Sequence, residues 1–284
     1  MDRAALYAIL DHYLAALCAK DCAGVPWSAG ARHSENNVML VPGDGVWRTV
    51  ERLGDYQLRF ADTRTGGVGY FGTLIEPREE SAFSLRLRVN EAGQVCESEM
   101  VIVRNSDAGL VLPNPRFWTK PILEADAEAR VPREEMVRLA NGYFDTLQLN
   151  DGTIRTKFHP DCNRVENGFQ STNNHETDFM PTSRMGCEEQ FLLGWYRYDD
   201  ELRARRFPLV DEERGIVLAH GFIDHWGALE RYQLTNGEWV ESFIRRPHTF
   251  YLAEIFKIDH AMICQIEANF ITVPFHMPSP WDAA

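Results

Sequence analysis

Phe250-Tyr-Leu-Ala-Glu-Ile-Phe-Lys-Ile-Asp-His-Ala-Met-Ile-Cys-Gln-Ile-Glu-Ala-Asn-Phe270 decides the fold. In its first half Phe250, Leu252, Phe256 and Ile258 fall on one side and Tyr251, Ala253, Ile255 and Lys257 on the other. That period of two predicts a half-buried strand. Asp259–Met262 is a short polar connection, and Ile263–Phe270 is the returning strand. Glu254 stands on the apolar side between Leu252 and Phe256, where a carboxylate is costly unless it is paired, protonated or put to use.

The hairpin has an upstream copy. Phe83-Ser-Leu-Arg-Leu-Arg-Val89 alternates in the same way, and Val95-Cys-Glu-Ser-Glu99 parallels Ile263-Cys-Gln-Ile-Glu267. With the later turn one residue shorter, Leu85 takes the place of Glu254. Two further echoes follow in the same order: Tyr-x3-Leu-x3-Asp at Tyr13–Asp21 and Tyr143–Asp151, and Glu-Asn at Glu35-Asn36 and Glu166-Asn167. Ordered echoes mean a tandem duplication, each copy of ordinary domain size. The expected division is a first unit over 1–106, a proline-rich connector over 107–131 and a larger second unit over 132–284.

Residues 2–20 and Pro132–Asn150 carry apolar side chains at helical spacing and predict amphipathic helices. Trp47–Ala61 reads as a further helix and so does Cys187–Tyr198. Gly66–Leu74, Ile216–Trp226 and Trp239–Arg246 read as strands, and Asn236-Gly237 as a hairpin turn. Helices followed by antiparallel strands make the class α+β.

The formal net charge of −13 argues against a nucleic-acid partner, which requires a clustered basic surface. No apolar stretch reaches the roughly 18 residues of a membrane span, and the N-terminus does not read as a signal peptide. Six cysteines with no CxxC spacing are no disulfide framework; a reducing cytoplasm is the expected location. Cys18 and Cys22 lack the second pair that a zinc site needs, and the nine histidines show no metal-binding spacing. Neither a metal nor a cofactor is expected.

The helix ends, the Glu-Asn lead-in and the Ala-Glu-Ile-Phe-Lys-Ile…Gln-Ile-Glu-Ala hairpin resemble the cone-shaped α+β barrel superfamily that includes nuclear transport factor, ketosteroid isomerase, scytalone dehydratase and the SnoaL-like proteins. The resemblance covers both halves and implies two tandem cone-shaped units, each with helices packed in a strongly curved antiparallel sheet. In a ketosteroid isomerase the first-helix oxyanion tyrosine would correspond to Tyr143 or Tyr13, and the protonated aspartate to a place near Glu254. The base aspartate would fall on Asn167 or Glu166, or on Asn36 or Glu35; asparagine is no proton acceptor, a departure from isomerase chemistry. Superfamily members include cofactor-independent lyases, among them enzymes that release formaldehyde from lignin-derived diarylpropanes. Fold alone does not fix function.

Candidate catalytic groups are Glu254, Tyr143, Asp224, His225 and His159. Glu254 is either an acid or base shifted by burial or half of an ion pair with Arg245 or Arg246. His220, Phe222, Asp224 and Trp226 share one strand face; if it lines the cone they form a pocket wall, and if it faces out His225 points in instead. Arg164, Tyr251, Lys120 and Trp118 are further substrate-binding candidates, with His159-Pro-Asp161 read as either a catalytic loop or a capped turn. The resulting expectation is a cofactor-independent lyase, by dehydration or retro-aldol or deformylating cleavage, acting on a hydrophobic aromatic small molecule. The alternatives are an isomerase or a non-catalytic binding or assembly module, with a homo-oligomer through the sheet faces.

Overall fold

The computed structural model describes residues 1–104, 130–176 and 180–282. Trp118, Lys120 and most of the expected connector lie outside these residues. The first unit runs α1 (Arg3–Ala19), β1 (Trp27–Glu35), β2 (Val38–Met39), β3 (Arg52–Asp62), β4 (Gly67–Glu76), β5 (Glu79–Val89) and β6 (Val95–Val103). The second runs α2 (Arg133–Leu149), β7 (Phe158–Glu166), β8 (Phe169–Gln170), α3 (Cys187–Leu193), β9 (Glu201–Asp211), β10 (Ile216–His225), a small ribbon β11 (Arg231–Gln233) and β12 (Trp239–Glu241), then β13 (His248–Asp259) and β14 (Met262–Val273).

Each unit builds a six-stranded sheet with the same connectivity, β2-β1-β6-β5-β4-β3 and β8-β7-β14-β13-β10-β9. In both, one parallel pair joins the first strand to the last, β1 with β6 and β7 with β14, and the remaining ladders are antiparallel. The apolar face of α1 (Leu6, Leu10, Tyr13, Leu14, Leu17) and that of α2 (Met136, Leu139, Tyr143, Phe144, Leu147) each fill the hollow of one curved sheet. The fold is therefore two tandem cone-shaped α+β units.

The Glu-Asn echo has a structural cause. Asn36 and Asn167 both sit at positive φ, 51° and 48°, a conformation that asparagine tolerates better than most residues. The Asn36 side chain donates to the Ile102 carbonyl and accepts from the Ile102 N–H, at 3.1 and 2.8 Å. Asn167 does the same to Phe270, at 2.9 and 2.8 Å. Each asparagine thus staples the first strand of its unit to the last, which accounts for an amide at this place.

The outer faces of the two sheets pack on each other. Leu58, Phe60, Phe71 and Val101 of the first meet Leu209, Leu218, Phe222, Tyr251 and Ile255 of the second. A reciprocal pair of ionic contacts frames this seam. Arg133, opening α2, donates to Asp62 at 2.6 Å, and Asp62 also accepts from the Val210 N–H at 3.1 Å. Arg3, opening α1, donates twice to Asp211 at 2.6 and 2.7 Å, and Asp211 accepts from the Ala61 N–H at 2.8 Å. Equivalent groups exchange equivalent bonds, so the units are related by a pseudo-two-fold axis. The sheet faces thus pair the two units within one chain.

Three local expectations are corrected. Trp47–Ala61 is not a helix: a 3₁₀ turn at Gly45–Arg48 leads into β3. The expected strand Trp239–Arg246 is paired only over Trp239–Glu241. The β13 strand is not half-buried but buried on both faces, because its outer face is covered by the first unit.

Candidate functional site

The same cross-strand row gives the two cones different interiors. In the first unit Leu85 lies opposite Tyr70 on one side and Met100 on the other, and Met100 in turn opposite Glu35. In the second, Glu254 lies opposite Ala219 and Ala268, and Ala268 opposite Glu166. Directly opposed residues share a face of the sheet. Large side chains therefore plug the first cone, where Tyr70, Leu85, Met100, Phe83 and Trp47 are all buried in one cluster. Alanines on both flanks of Glu254 leave room in the second.

That room is a cavity of about 330 Å3, within the usual range for small-molecule sites. Its wall is mostly apolar and aromatic, including Phe169, Trp195, Ile223, Phe243, Phe250, Leu252 and Phe270. Its polar groups include Tyr143, Arg164, Glu166, Tyr196, Tyr198, Asp199 and Glu254.

Glu254 is wholly enclosed. Burial pushes its carboxyl up to about 8, helped by the charge of Glu166 and opposed by Arg164 and the Tyr143 hydroxyl that donates to it. The two carboxylates flank Ala268 of β14, Glu254 from β13 and Glu166 from β7, and the Glu166 charge disfavours that of Glu254. Tyr143 is fixed by edge-on rings of Phe144, Phe191 and Phe256, and burial followed by the Glu254 charge raises its hydroxyl. Glu254 forms no salt bridge with Arg245 or Arg246: Arg245 faces Glu241 at 3.5 Å, and the strands beside Glu254 are β10 and β14.

Arg164 is the cation of the cavity. Its guanidinium lies 3.3 Å from Glu166, gives a 3.2 Å hydrogen bond to the Ser171 hydroxyl, and donates to Gln190 and Tyr196. It also lies over the rings of Phe191 and Tyr196. The equivalent residue in the first unit is His33, held with Tyr13 on the Ser98 hydroxyl at 3.2 and 2.8 Å, so the first-unit tyrosine serves packing.

A carboxylate–imidazole pair, Asp199 with His225, stands at the other part of the cavity. Asp199 accepts from His225 Nε2 at 2.8 Å, and burial raises its carboxyl against the pull of the histidine. His225 stacks on His248 with ring centres 4.6 Å apart, and its Nδ1 is buried without a hydrogen-bond partner.

The outward face of β10 is corrected by the register. His220, Phe222 and Asp224 point into the seam between the units. There Glu99 accepts from Arg206 at 2.5 Å, from the Tyr251 hydroxyl at 2.6 Å and from Arg86 at 3.0 Å, with His220 3.5 Å away. Burial lowers His220 to about 3, so it is neutral at pH 7 and meets Glu99 as a dipole. Asp224 is bound by Arg203 at 2.6 Å and Thr249 at 2.5 Å. Trp226 is exposed against Phe275 and His276, and His159 is a partly exposed residue of β7 whose Nδ1 accepts from the Asp161 N–H. None of these, nor Tyr251, lines the cavity. Glu201, Asp224 and His276 form the one trio of potential metal ligands among the described residues, and Arg203 already occupies both oxygens of Asp224.

Sequence reasoning passed over Asp199, Tyr196 and Gln190. Nothing in Tyr198-Asp-Asp200 separates Asp199, which faces the cavity, from Asp200, which accepts from the Trp226 N–H at 2.7 Å.

Fold and cavity together define a tandem cone-shaped α+β protein with one hollow unit. The chain belongs to the family described as a domain of unknown function, DUF8021, whose sequence model matches residues 129–270, half of the chain and nearly all of the hollow unit. Among solved structures it is similar to a steroid delta-isomerase from Pseudomonas aeruginosa, at 15% identity and TM-score 0.31, covering 37% of this chain and 83% of that one. It is similar to a protein of the SnoaL-like family from Agrobacterium tumefaciens str. C58, at 14% identity and TM-score 0.27, covering 36% and 99%. A cystatin-like fold from Methylobium petroleophilum PM1 aligns at 16% identity and TM-score 0.32, covering 39% and 84%. Likeness at this level says nothing of activity. No curated protein matches the chain. Among the described residues no helix is long and apolar enough to cross a membrane.

Proposed function

We propose that the second unit is a cofactor-independent acid–base enzyme, a lyase acting on a hydrophobic aromatic small molecule. The observation that carries this reading is Glu254, a carboxyl buried in an apolar cavity, where burial pushes its titration up to about 8. A buried neutral carboxyl can deliver a proton to a leaving or carbanionic atom. Asp199, with its negative charge stabilised by His225, is the matching base. Arg164 and the Tyr196 hydroxyl stand where they can hold a developing oxyanion.

In a dehydration, Asp199 takes a C–H proton, the double bond forms, the C–O bond breaks, and the Glu254 proton leaves with the hydroxyl as water. In a retro-aldol or deformylating cleavage, Asp199 takes a hydroxyl proton, a carbonyl forms as the C–C bond breaks, and the carbanion takes the Glu254 proton. A diarylpropane-type compound of the lignin-derived kind fits the second reaction and the aromatic wall. The isomerase alternative uses the same two groups for one proton taken and one returned.

The test is incubation of the purified protein, without added cofactor, in D2O with phenolic, diarylpropane, polyketide and steroid compounds. Mass spectrometry then reads product masses and solvent deuterium. A product of dehydrated or cleaved mass that disappears in Glu254→Gln supports the proposal, with solvent deuterium carried by a cleavage product and not by a dehydration product. Compounds that bind in the cavity yet undergo neither cleavage nor exchange would make the unit a binding module and refute it.

A further inference from the structure

Where the outer faces of the sheets part, beside Thr65 and Gly67, a second cleft of about 480 Å3 opens. It gathers Arg32 of β1, Arg86 and Arg88 of β5, and Arg206 of β9. In a chain of formal charge −13 this is a local reversal of sign, and such clefts concentrate anions.

The neighbouring carboxylates do not use up these cations. Glu99 takes Arg86 at 3.0 Å and Arg206 at 2.5 Å. Glu97 takes Arg86 at 2.7 Å and stands 3.6 Å from Arg88, while Asp282 acts on Arg206 only through its charge. Among the described residues four guanidiniums thus face three carboxylates, with His220 neutral. Donors are also left over. Among the described residues, Arg206 Nε is buried with no hydrogen-bond partner, and Arg88, with its side chain 58% exposed, has only the long contact to Glu97. Arg32 donates to the Pro280 carbonyl.

An aromatic surface lies among these donors. The Trp281 ring sits 4.5 Å from the Arg32 guanidinium and 5.0 Å from that of Arg86, fixed by a 3.0 Å bond from its indole N–H to Ser34. Phe207 borders the same space.

We propose that this cleft binds a small aromatic oxyanion, an aryl carboxylate or aryl phosphate. Its charged end is taken by Arg32, Arg88 and Arg206, and its ring rests against Trp281 and Phe207. Guanidinium forks match both anions in geometry. Since Arg32 and Arg88 belong to the first unit and Arg206 to the second, the ligand ties the units together and stabilises the native chain by mass action. The site is separate from the Glu254 cavity and stands whether or not that cavity is catalytic.

Calorimetric titration at constant ionic strength with benzoate, phenyl phosphate and uncharged phenol tests it on the full chain. The variants are Glu254→Gln and the double variant Arg32→Ala/Arg88→Ala, whose side chains make no buried ion pair. At least one anion is expected to bind saturably, with affinity unchanged in Glu254→Gln and at least tenfold weaker in the double variant, whereas any phenol binding is not weakened by the double variant. The tighter of the two anions identifies the charged group. Absence of saturable binding by both anions, or equal affinity in the double variant, overturns the proposal.

Discussion

Replacing Glu254 by glutamine removes a titrating proton while keeping the size and polarity of the side chain. An ordinary glutamate titrates at 4.5, and in the folded chain this one is pushed up to about 8. Between those values the unfolded chain releases the proton and the folded chain keeps it, so the wild type loses stability as pH rises. Each pH step of that window is worth about 1.4 kcal/mol, which puts the full loss on the order of 5 kcal/mol above pH 8. Glutamine pays none of it. Denaturant unfolding of both proteins at pH 4, 6, 7 and 9 is the assay, read as the difference between them so that other titrating groups cancel. The two should be close at pH 4 and diverge by roughly 3 kcal/mol at pH 7, with the variant the more stable and inactive. Parallel stability curves from pH 4 to 9 would refute the argument that burial holds the Glu254 carboxyl neutral.

Ala268→Met transfers the plug of the first unit into the second; it is expected to weaken cavity binding at least tenfold while costing about 1–3 kcal/mol of stability, measured by calorimetry and unfolding. Asn167→Ala and Asn36→Ala should each cost about 2–3 kcal/mol, since each leaves strand groups unpaired, and a large effect at one with none at the other would contradict their equivalence. Arg133→Ala removes the partner of buried Asp62. Burial already opposes the charge of that carboxyl, and Arg133 is foremost among the groups that nevertheless hold it below its ordinary value. A loss of about 2 kcal/mol or more is expected at pH 7, shrinking as the medium is acidified and Asp62 is protonated.

The duplication was legible because the strands that carry it alternate cleanly and because the two asparagines must adopt the same rare backbone conformation. The strand β3 was not. Leu53, Tyr56 and Phe60 recur at helix-like spacing, and the register shift between Leu53 and Gln57 breaks the alternation that would mark a strand. The orientation of β10 was beyond sequence for a different reason. Alternation separates a buried face from an exposed one, but here one face meets the cone and the other meets the second sheet, so both are buried. Glu254 was visible as a charge on an apolar face. Its cavity was visible only as Ala219 and Ala268 against Tyr70 and Met100, a contrast that needs the strand registers to be read.

The reciprocal Asp62–Arg133 and Asp211–Arg3 contacts have a consequence for how such a chain can diverge. Two identical subunits meeting about a true axis must change together, since any substitution appears twice. Once both halves lie on one chain, each position varies alone. Leu85 and Met100 can close one cone while Ala219 and Ala268 leave the other open, and the closed half is left as a rigid backing for the hollow one. With both halves on one chain, one unit can serve as scaffold and the other as chamber.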